Sequence, residues 1–395
     1  MFLLLTIVSG ATCVLTSPAE FVKRPRLWLE LIDEFKATCT PVPSFTLPLV
    51  VRRGHAESGP RNLDLSSMKN LVIINEPIYK ASVDDFVNQF MQFGLDPSCI
   101  APSYGLAENC TFVSTAWRST CNVKDLPSIN KLLPVARLRR SEVDEDETDL
   151  ILVVNEETHE PVEDGVEGEI WVSSASNANA YLGHPFQTHE LLYARLRNTL
   201  SGSFIRTGDR GVVKGPSRYL YVTGRCSDVL TLEDGKEIHP HYIETTSYDA
   251  FPKHLRGGCI AAFEIQHSGI VIVAEMQRND MEKGEENLRR ICYGVGDAVW
   301  RNNKVKVGVV ALVKTGSVPK TTSGKIQRWL AKDKLMRKQM NILMLLNLQV
   351  VGEVSETERI VAAVGGELCK AEETEQISVS MPTSAPTHHP LRSFL

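Results

Sequence analysis

The sequence predicts an α/β protein in two parts: an αβ unit with a small β portion over residues 1–225, then a compact α+β domain over 226–350 on a hinge. Three observations predict it. The run Leu71–Ile74 is continuously apolar and bounded by polar residues, the pattern of a strand buried on both faces of a parallel or mixed sheet. Between residues 150 and 225 short alternating stretches are separated by hairpin signals. Beyond Cys226, helical and strand patterns alternate over a stretch of about a hundred residues, the size of one α+β domain.

From Pro18 to Ala37 the spacing of Phe21, Leu27, Trp28, Leu31, Ile32 and Phe35 is helical, with Pro25 near the start. The strand "KNLVIINEPI" ends in Asn75, Glu76 and Pro77, a polar edge of the kind where such sheets present ligands. A helix over Val83–Phe93 leads into "IAPSYGLAENCTFVS". Residues 123–148 are charged and turn-rich and end in the acidic run "SEVDEDETD", a solvated loop. "LILVVNEETHEPV", "GEIWVSS", "RGVVKG" and "RYLYVTGR" then read as strands of a small barrel or distorted sheet.

After "VTGRCSD", "PHYIETTSYDAF" and "EKGEENLRRICYGVGDAVW" read as helices, and "CIAAFEI", "GIVIVAEM" and "VKVGVVALVK" as strands. A last helix is expected from Lys325 to Asn347. The acidic, then Ser/Thr/Pro-rich tail over 351–395 has the composition of a disordered segment, and His388 and His389 belong to it.

The composition is that of an ordinary globular protein, 43% hydrophobic and 23% charged, and the net charge of −5 supplies no basic field for nucleic acid. Nine cysteines, odd in number and without CxxC spacing, point to a reducing, cytoplasmic setting and free buried thiols rather than a zinc framework. The N-terminal run Phe2–Val8 lacks a basic leader and reads as a buried helix end and core strand rather than a signal peptide. No later window has the apolar length of a stable membrane span.

Four short segments combine a special backbone residue with a polar one. In Tyr104-Gly105-Leu106-Ala107-Glu108, Gly105 permits close backbone approach, Tyr104 offers a face for stacking, and Glu108 can hold a divalent cation. Arg206-Thr207-Gly208-Asp209 presents an acceptor-only carboxylate, suited to two neighbouring hydroxyls. Arg225, after Thr223-Gly224, can pair with Asp209 or contact phosphate oxygens. In "PKTTSGKIQR", Lys325 follows a Ser-Gly pair and can deliver a point charge to a developing anion. Each alone also reads as an ordinary turn.

In this order and at these separations the segments resemble the adenylate-forming (AMP-binding) enzymes, over about residues 8–330. "EGEIWVSSASNANAYLGHPFQT" is similar to that family's "GEIWV…GY…P…T" segment. "SPAEFVKRPRLWLELIDEFKAT", "LDLSSMKNLVIINEPI" and "YGLAENCTFVS", with Ala107 where most of the family has Thr, resemble the fatty acyl-AMP ligase branch. The resemblance implies a large nucleotide-binding domain, here partial, followed by a mobile C-terminal domain. It implies ATP and Mg2+, a fatty acid substrate, and an acyl-carrier protein as acceptor. Tyr104 and Gly105 would lie on adenine with Asn75 and Glu76 nearby, Asp209 on the ribose, Arg225 near ribose or phosphate, and Glu108 on magnesium. Lys325 would bridge carboxylate and phosphate, with Ser227 and Asp228 as the hinge.

Three departures accompany the resemblance. The Ser/Thr/Gly-rich phosphate loop would lie upstream of Gly10, so weak or absent ATP-dependent activity is expected of this polypeptide alone. The family's "NGAEP" is here Ile73-Ile74-Asn75-Glu76-Pro77, with a β-branched residue where Gly would stand. Ser227-Asp228 replaces "KD". A non-catalytic binding module and an acyl-CoA synthetase remain as alternatives.

Overall fold

The computed structural model describes residues 2–54, 63–117, 122–138, 150–197, 202–232, 234–278, 284–321 and 324–348. The acidic run and the tail over 351–395 lie outside them. The chain divides into two compact units, Met1–Thr231 and Leu232–Leu395.

The first unit opens with α1 (Phe2–Ser9), α2 (Pro18–Lys23) and α3 (Arg26–Phe35). The helix expected over Pro18–Ala37 is therefore two. Proline lacks an N–H and restricts the residue before it, so the chain breaks at Arg24 and restarts with Pro25 as the N-cap of α3. The N-terminal run is helical but not buried, contrary to expectation: Leu4, Ile7 and Val8 are 66%, 68% and 86% exposed. A short helix apolar on every side has no polar face to select an orientation, and an exposed, irregular stretch separates it from α2.

Strands β1 (Cys39–Pro43), β2 (Asn70–Ile74) and β3 (Ile100–Tyr104) pair in parallel, with β4 (Ser114–Thr115) antiparallel on β3. β2 is the buried central strand its apolar run predicts. Helices α4 (Thr46–Arg53) and α5 (Lys80–Phe90) supply Leu47, Val50, Phe86 and Phe90 to the core, where Trp28 of α3 stacks on Phe86 at 5.8 Å between centroids.

The β portion is an antiparallel sheet in the order β5 (Ala136–Arg137), β9 (Tyr219–Arg225), β8 (Ile205–Lys214), β7 (Glu167–Ser173), β6 (Leu150–Val154), with α6 (Pro185–Leu192) leading towards β8. Strand alternation divides β7. Ile170 and Val172 join the core shared with the parallel sheet, whereas Trp171 turns to a second cluster with Val154, Leu196 and Phe204.

After β10 (Leu230–Thr231), the second unit holds β11 (Glu237–Ile238) and α7 (Pro240–Ala250). Its four-stranded sheet runs β12 (Leu255–Ile265), β13 (Gly269–Met276), β14 (Val307–Val313), β15 (Ile342–Asn347). One face (Ala261, Phe263, Val271, Val273, Ala311) packs on Ala331 and Leu335 of α9 (Arg328–Met336). The alternate residues Ile260, Ala262, Ile272 and Val310 are buried as well, towards α7 and α8 (Glu285–Asn303).

The last helix expected over Lys325–Asn347 is thus a helix and a strand. Lys338 adopts a left-handed φ of 56°, and the amides of Lys338 and Gln339 close the last turn of α9 on Leu335 and Lys334. The Leu/Met-rich run that follows has helical propensity, but the open edge of β14 recruits it as an antiparallel strand. The cysteines also divide. Cys99, Cys259 and Cys292 are buried free thiols, whereas Cys13, Cys39 and Cys110 are exposed, standing in an irregular stretch, at a strand start and in a turn.

Candidate active site

The parallel and antiparallel sheets of the first unit bring three of the expected residues together. Tyr104 is the last residue of β3; Asp209 and Arg225 are cross-strand partners in β8 and β9. The Tyr104 hydroxyl donates to Asp209 Oδ2 at 2.7 Å, and Arg225 Nη1 donates to Asp209 Oδ1 at 2.7 Å. Arg225 Nη1 also reaches the Thr207 carbonyl at 3.3 Å. The sheet register supplies the pairing with Asp209, one of the two roles open to Arg225.

Tyr104 is 7% exposed. Burial, reinforced by the Asp209 charge, pushes its phenol well above the ordinary range, so it stays a protonated donor. Burial works against the Arg225 charge, but Asp209 outweighs it and the guanidinium is pushed up. Each Asp209 oxygen accepts one of these bonds and keeps a further lone pair.

Arg206–Asp209, which the sequence reads as a turn, lies within β8, and its backbone is set by Glu169, a residue of the GEIWV segment to which the sequence assigns no role. Glu169, 3% exposed, accepts from the Gly208 amide at 3.0 Å, Arg206 Nε at 3.0 Å and the Trp171 indole at 2.9 Å. Arg206 also lies over the Trp171 ring at 5.8 Å. Gly208 takes a φ of 67°, which glycine accepts without strain. The available signal was the alternation of β7, which puts an acid and a tryptophan on one face.

Glu108 stands on a single helical turn (Ala107–Asn109), half-buried, and its Oε1 accepts from the Tyr181 hydroxyl at 2.8 Å. Gly105 is required before it. A Cβ there would lie 2.1 Å from the Thr111 carbonyl oxygen, and Cys110 and Thr111 already hold left-handed φ of 48° and 68°. Gly105→Ala is expected to destabilise the first unit by about 1–3 kcal/mol, read by urea unfolding.

Glu76 accepts from the Ser44 hydroxyl at 3.1 Å, beside exposed Asn75. The left-handed residue of that loop is Asn75 (φ 82°), a type that tolerates it; Ile74 stays in β2 opposite Pro43, so the restricted backbone expected of a β-branched residue meets an extended strand. Ser227 and Asp228 lie on the helical turn Cys226–Asp228, 3.4 Å apart through their side-chain oxygens.

Lys325 belongs to the second unit, described by itself. It is exposed on a hairpin closed by the Lys320–Ile326 bridge, where the Thr321 amide donates to the Lys325 carbonyl at 2.9 Å and Gly324 turns with φ 87°. Buried carboxylates anchor both ends. Glu275 accepts from the Val318 amide at 2.8 Å and pairs with Arg256, while Glu244 takes Arg328 in a two-bond clasp at 2.7 and 2.8 Å.

Comparison with known proteins bears on this geometry. A family profile described as "AMP-binding enzyme" matches residues 1–182. A 4-hydroxyphenylalkanoate adenylyltransferase of Mycobacterium tuberculosis is 30% identical over 345 residues, covering 82% of this chain and 54% of the relative. This chain belongs to the AMP-binding, adenylate-forming enzyme family. Another relative, the medium-chain-fatty-acid–[acyl-carrier-protein] ligase JamA of Moorena producens, is 31% identical over 81% of this chain and 56% of its own length. A solved structure from work on fatty acyl-adenylate ligases from E. coli and L. pneumophila superposes with a TM-score of 0.65 at 24% identity, covering 81% of this chain and 56% of that one. An adenylation and carrier protein structure, McyG complexed with phenylalanyl-adenylate, gives 0.66 at 19% identity, with 92% and 50% covered. These likenesses establish the α/β fold of adenylate-forming domains. The AMP-binding chain spans about half the length of the curated relatives it matches.

Proposed function

We propose that this chain carries the ribose-holding and metal-holding residues, and the activating lysine, of an enzyme that joins a fatty acid to AMP. The observation that supports this most is the Asp209 carboxylate fixed between Tyr104 and Arg225, on a chain whose relatives include acyl-activating ligases. With one oxygen tied to each neighbour, Asp209 keeps an acceptor site on each for the 2′ and 3′ hydroxyls of ATP. Tyr104 orients it and borders the base with Gly105, Asn75 and Glu76.

A fatty-acid carboxylate oxygen attacks the α-phosphorus of ATP, a P–O bond forms, and the bond to pyrophosphate breaks. Arg225 lies beside the ribose and phosphate. Lys325 places its charge on the carboxylate and the α-phosphate as negative charge redistributes. Ser227 and Asp228 form the hinge on which the second unit swings, so that the lysine completes the site only on closure. Glu108 fits a cation carried in with the nucleotide: a single carboxylate plus phosphates is the usual Mg2+ arrangement, and among the described residues no cluster of three metal-ligating side chains exists. Bound Mg2+ neutralises phosphate charge. The acyl group then passes to a carrier protein, the acceptor class in the name of JamA: a carrier thiol forms the C–S bond as the acyl C–O bond breaks and AMP leaves. Among the described residues no helix is long and apolar enough to cross a membrane.

Hydroxamate trapping tests this on the chain joined to the upstream phosphate-loop segment of a family relative, with a chain-length series of fatty acids and enzyme at stoichiometric concentration so that one slow turnover is read. Fatty-acid- and ATP-dependent hydroxamate is expected; none with any acid in the series would overturn the proposal. Thioester formed on CoA in place of a carrier protein would move the acceptor to CoA.

A further inference from the structure

The stretch from Ser174 to Thr188 contributes no group to the chemistry above, yet it is stitched to the Glu108 turn residue by residue. The Ala178 amide donates to the Glu108 carbonyl at 2.7 Å. Asn109 Nδ2 donates to Asn177 Oδ1 at 2.7 Å, and the Cys110 thiol lies 3.7 Å from the Ser176 carbonyl. The last link joins side chains: the Tyr181 hydroxyl donates to Glu108 Oε1 at 2.8 Å. Tyr181 is itself held, because its amide donates to Thr188 Oγ1 at 2.9 Å and Thr188 caps back onto the His184 carbonyl at 2.8 Å.

We infer that Tyr181 is the positioning residue for the metal at Glu108, a step that rests on the reading of Glu108 as the cation-holding carboxylate. A glutamate on a single half-buried turn has rotamer freedom to lose on binding, and the phenol removes it beforehand. The bond takes one lone pair of Oε1 and leaves both of Oε2, which has no partner among the described residues, so Oε2 is the oxygen best placed to meet the cation. One-oxygen coordination suits the small octahedral Mg2+, whereas Ca2+ favours more oxygens and two-oxygen carboxylates. Tyr181 therefore sets metal choice as well as affinity.

The test is equilibrium binding of ATP to the full chain across Mg2+ and Ca2+ titrations, for the wild type, Tyr181→Phe and Glu108→Gln. Tyr181→Phe keeps the ring and is expected to need about tenfold more Mg2+ for half-maximal tightening. Metal-free ATP affinity should stay unchanged and the preference for Mg2+ over Ca2+ should shrink. A purely structural tyrosine would move neither the metal midpoint nor that preference. If Glu108→Gln shifts the Mg2+ midpoint and Tyr181→Phe does not, the role of Tyr181 is overturned and that of Glu108 stands. If Glu108→Gln leaves the midpoint unchanged, or the wild-type chain binds no nucleotide, both are overturned.

Discussion

Lys325→Ala is expected to lower acyl-adenylate formation about 100- to 1,000-fold while leaving ATP affinity within about twofold. That is the usual loss when one preorganised charge is removed from a developing anion, roughly 2.7–4 kcal/mol of barrier. The split follows from the role proposed for Lys325. Lys325 stands on a hairpin of the second unit, whereas Asp209, Tyr104, Arg225 and Glu108 stand in the first. An interaction made only in the closed state stabilises the transition state and not the initial complex. The anchors on Glu275 and Glu244 hold the hairpin backbone in place, so the substitution removes the ammonium without unravelling its support. Pyrophosphate release and ATP binding, measured side by side, check it. Equal losses in both would make Lys325 a ground-state contact; no loss in either would favour a non-catalytic binding module.

Glu169→Ala is expected to destabilise the first unit by about 3–5 kcal/mol, because it strips a buried charge pair of one partner. Arg206, 23% exposed in its side chain, would keep a charge without a counter-charge at 3.0 Å. The Gly208 amide and the Trp171 indole would also lose their acceptor, each at about 1–3 kcal/mol if water cannot replace it. For a unit of this size the thermal midpoint should fall by about 10 °C. Asp209 loses its aim at the same time, since Gly208, whose amide Glu169 holds, immediately precedes it in β8. Calorimetry with Glu169→Ala, Arg206→Ala and the double variant checks both size and cause. The double variant should cost less than the sum of the singles. A single Glu169→Ala loss below about 1 kcal/mol would contradict the buried-pair reading.

What the sequence made legible was local. The apolar run at Leu71–Ile74 announced a central parallel strand because a strand covered on both faces has no polar side to display. The strands over 210–215 and 218–225 were legible too, but Arg206–Asp209 reads as a turn in the sequence, and only the structure extends β8 through it and sets Asp209 opposite Arg225. Less legible was whatever depends on partners far along the chain. Tyr181 and Glu108 meet across 73 residues with no shared periodicity. Glu169 lies in the GEIWV segment, but no periodicity in the sequence shows that three donors converge on it. The run Ile342–Asn347 has a helix-compatible composition, and only the edge of β14 decides it. The exposure of α1 was likewise invisible, since an all-apolar octet reads as core whether or not anything packs on it.

The central claim is that a carboxylate oxygen attacks the α-phosphorus of ATP, and an oxygen label tests it most directly. A fatty acid carrying 18O in its carboxyl group is incubated with the chain, ATP, Mg2+ and hydroxylamine, and the AMP released is weighed by mass spectrometry. AMP that has gained one 18O from the acid is the predicted result, because the bridging oxygen of the adenylate stays on phosphorus when the acyl group leaves. AMP or ADP formed without label, or hydroxamate formed without AMP, would contradict it.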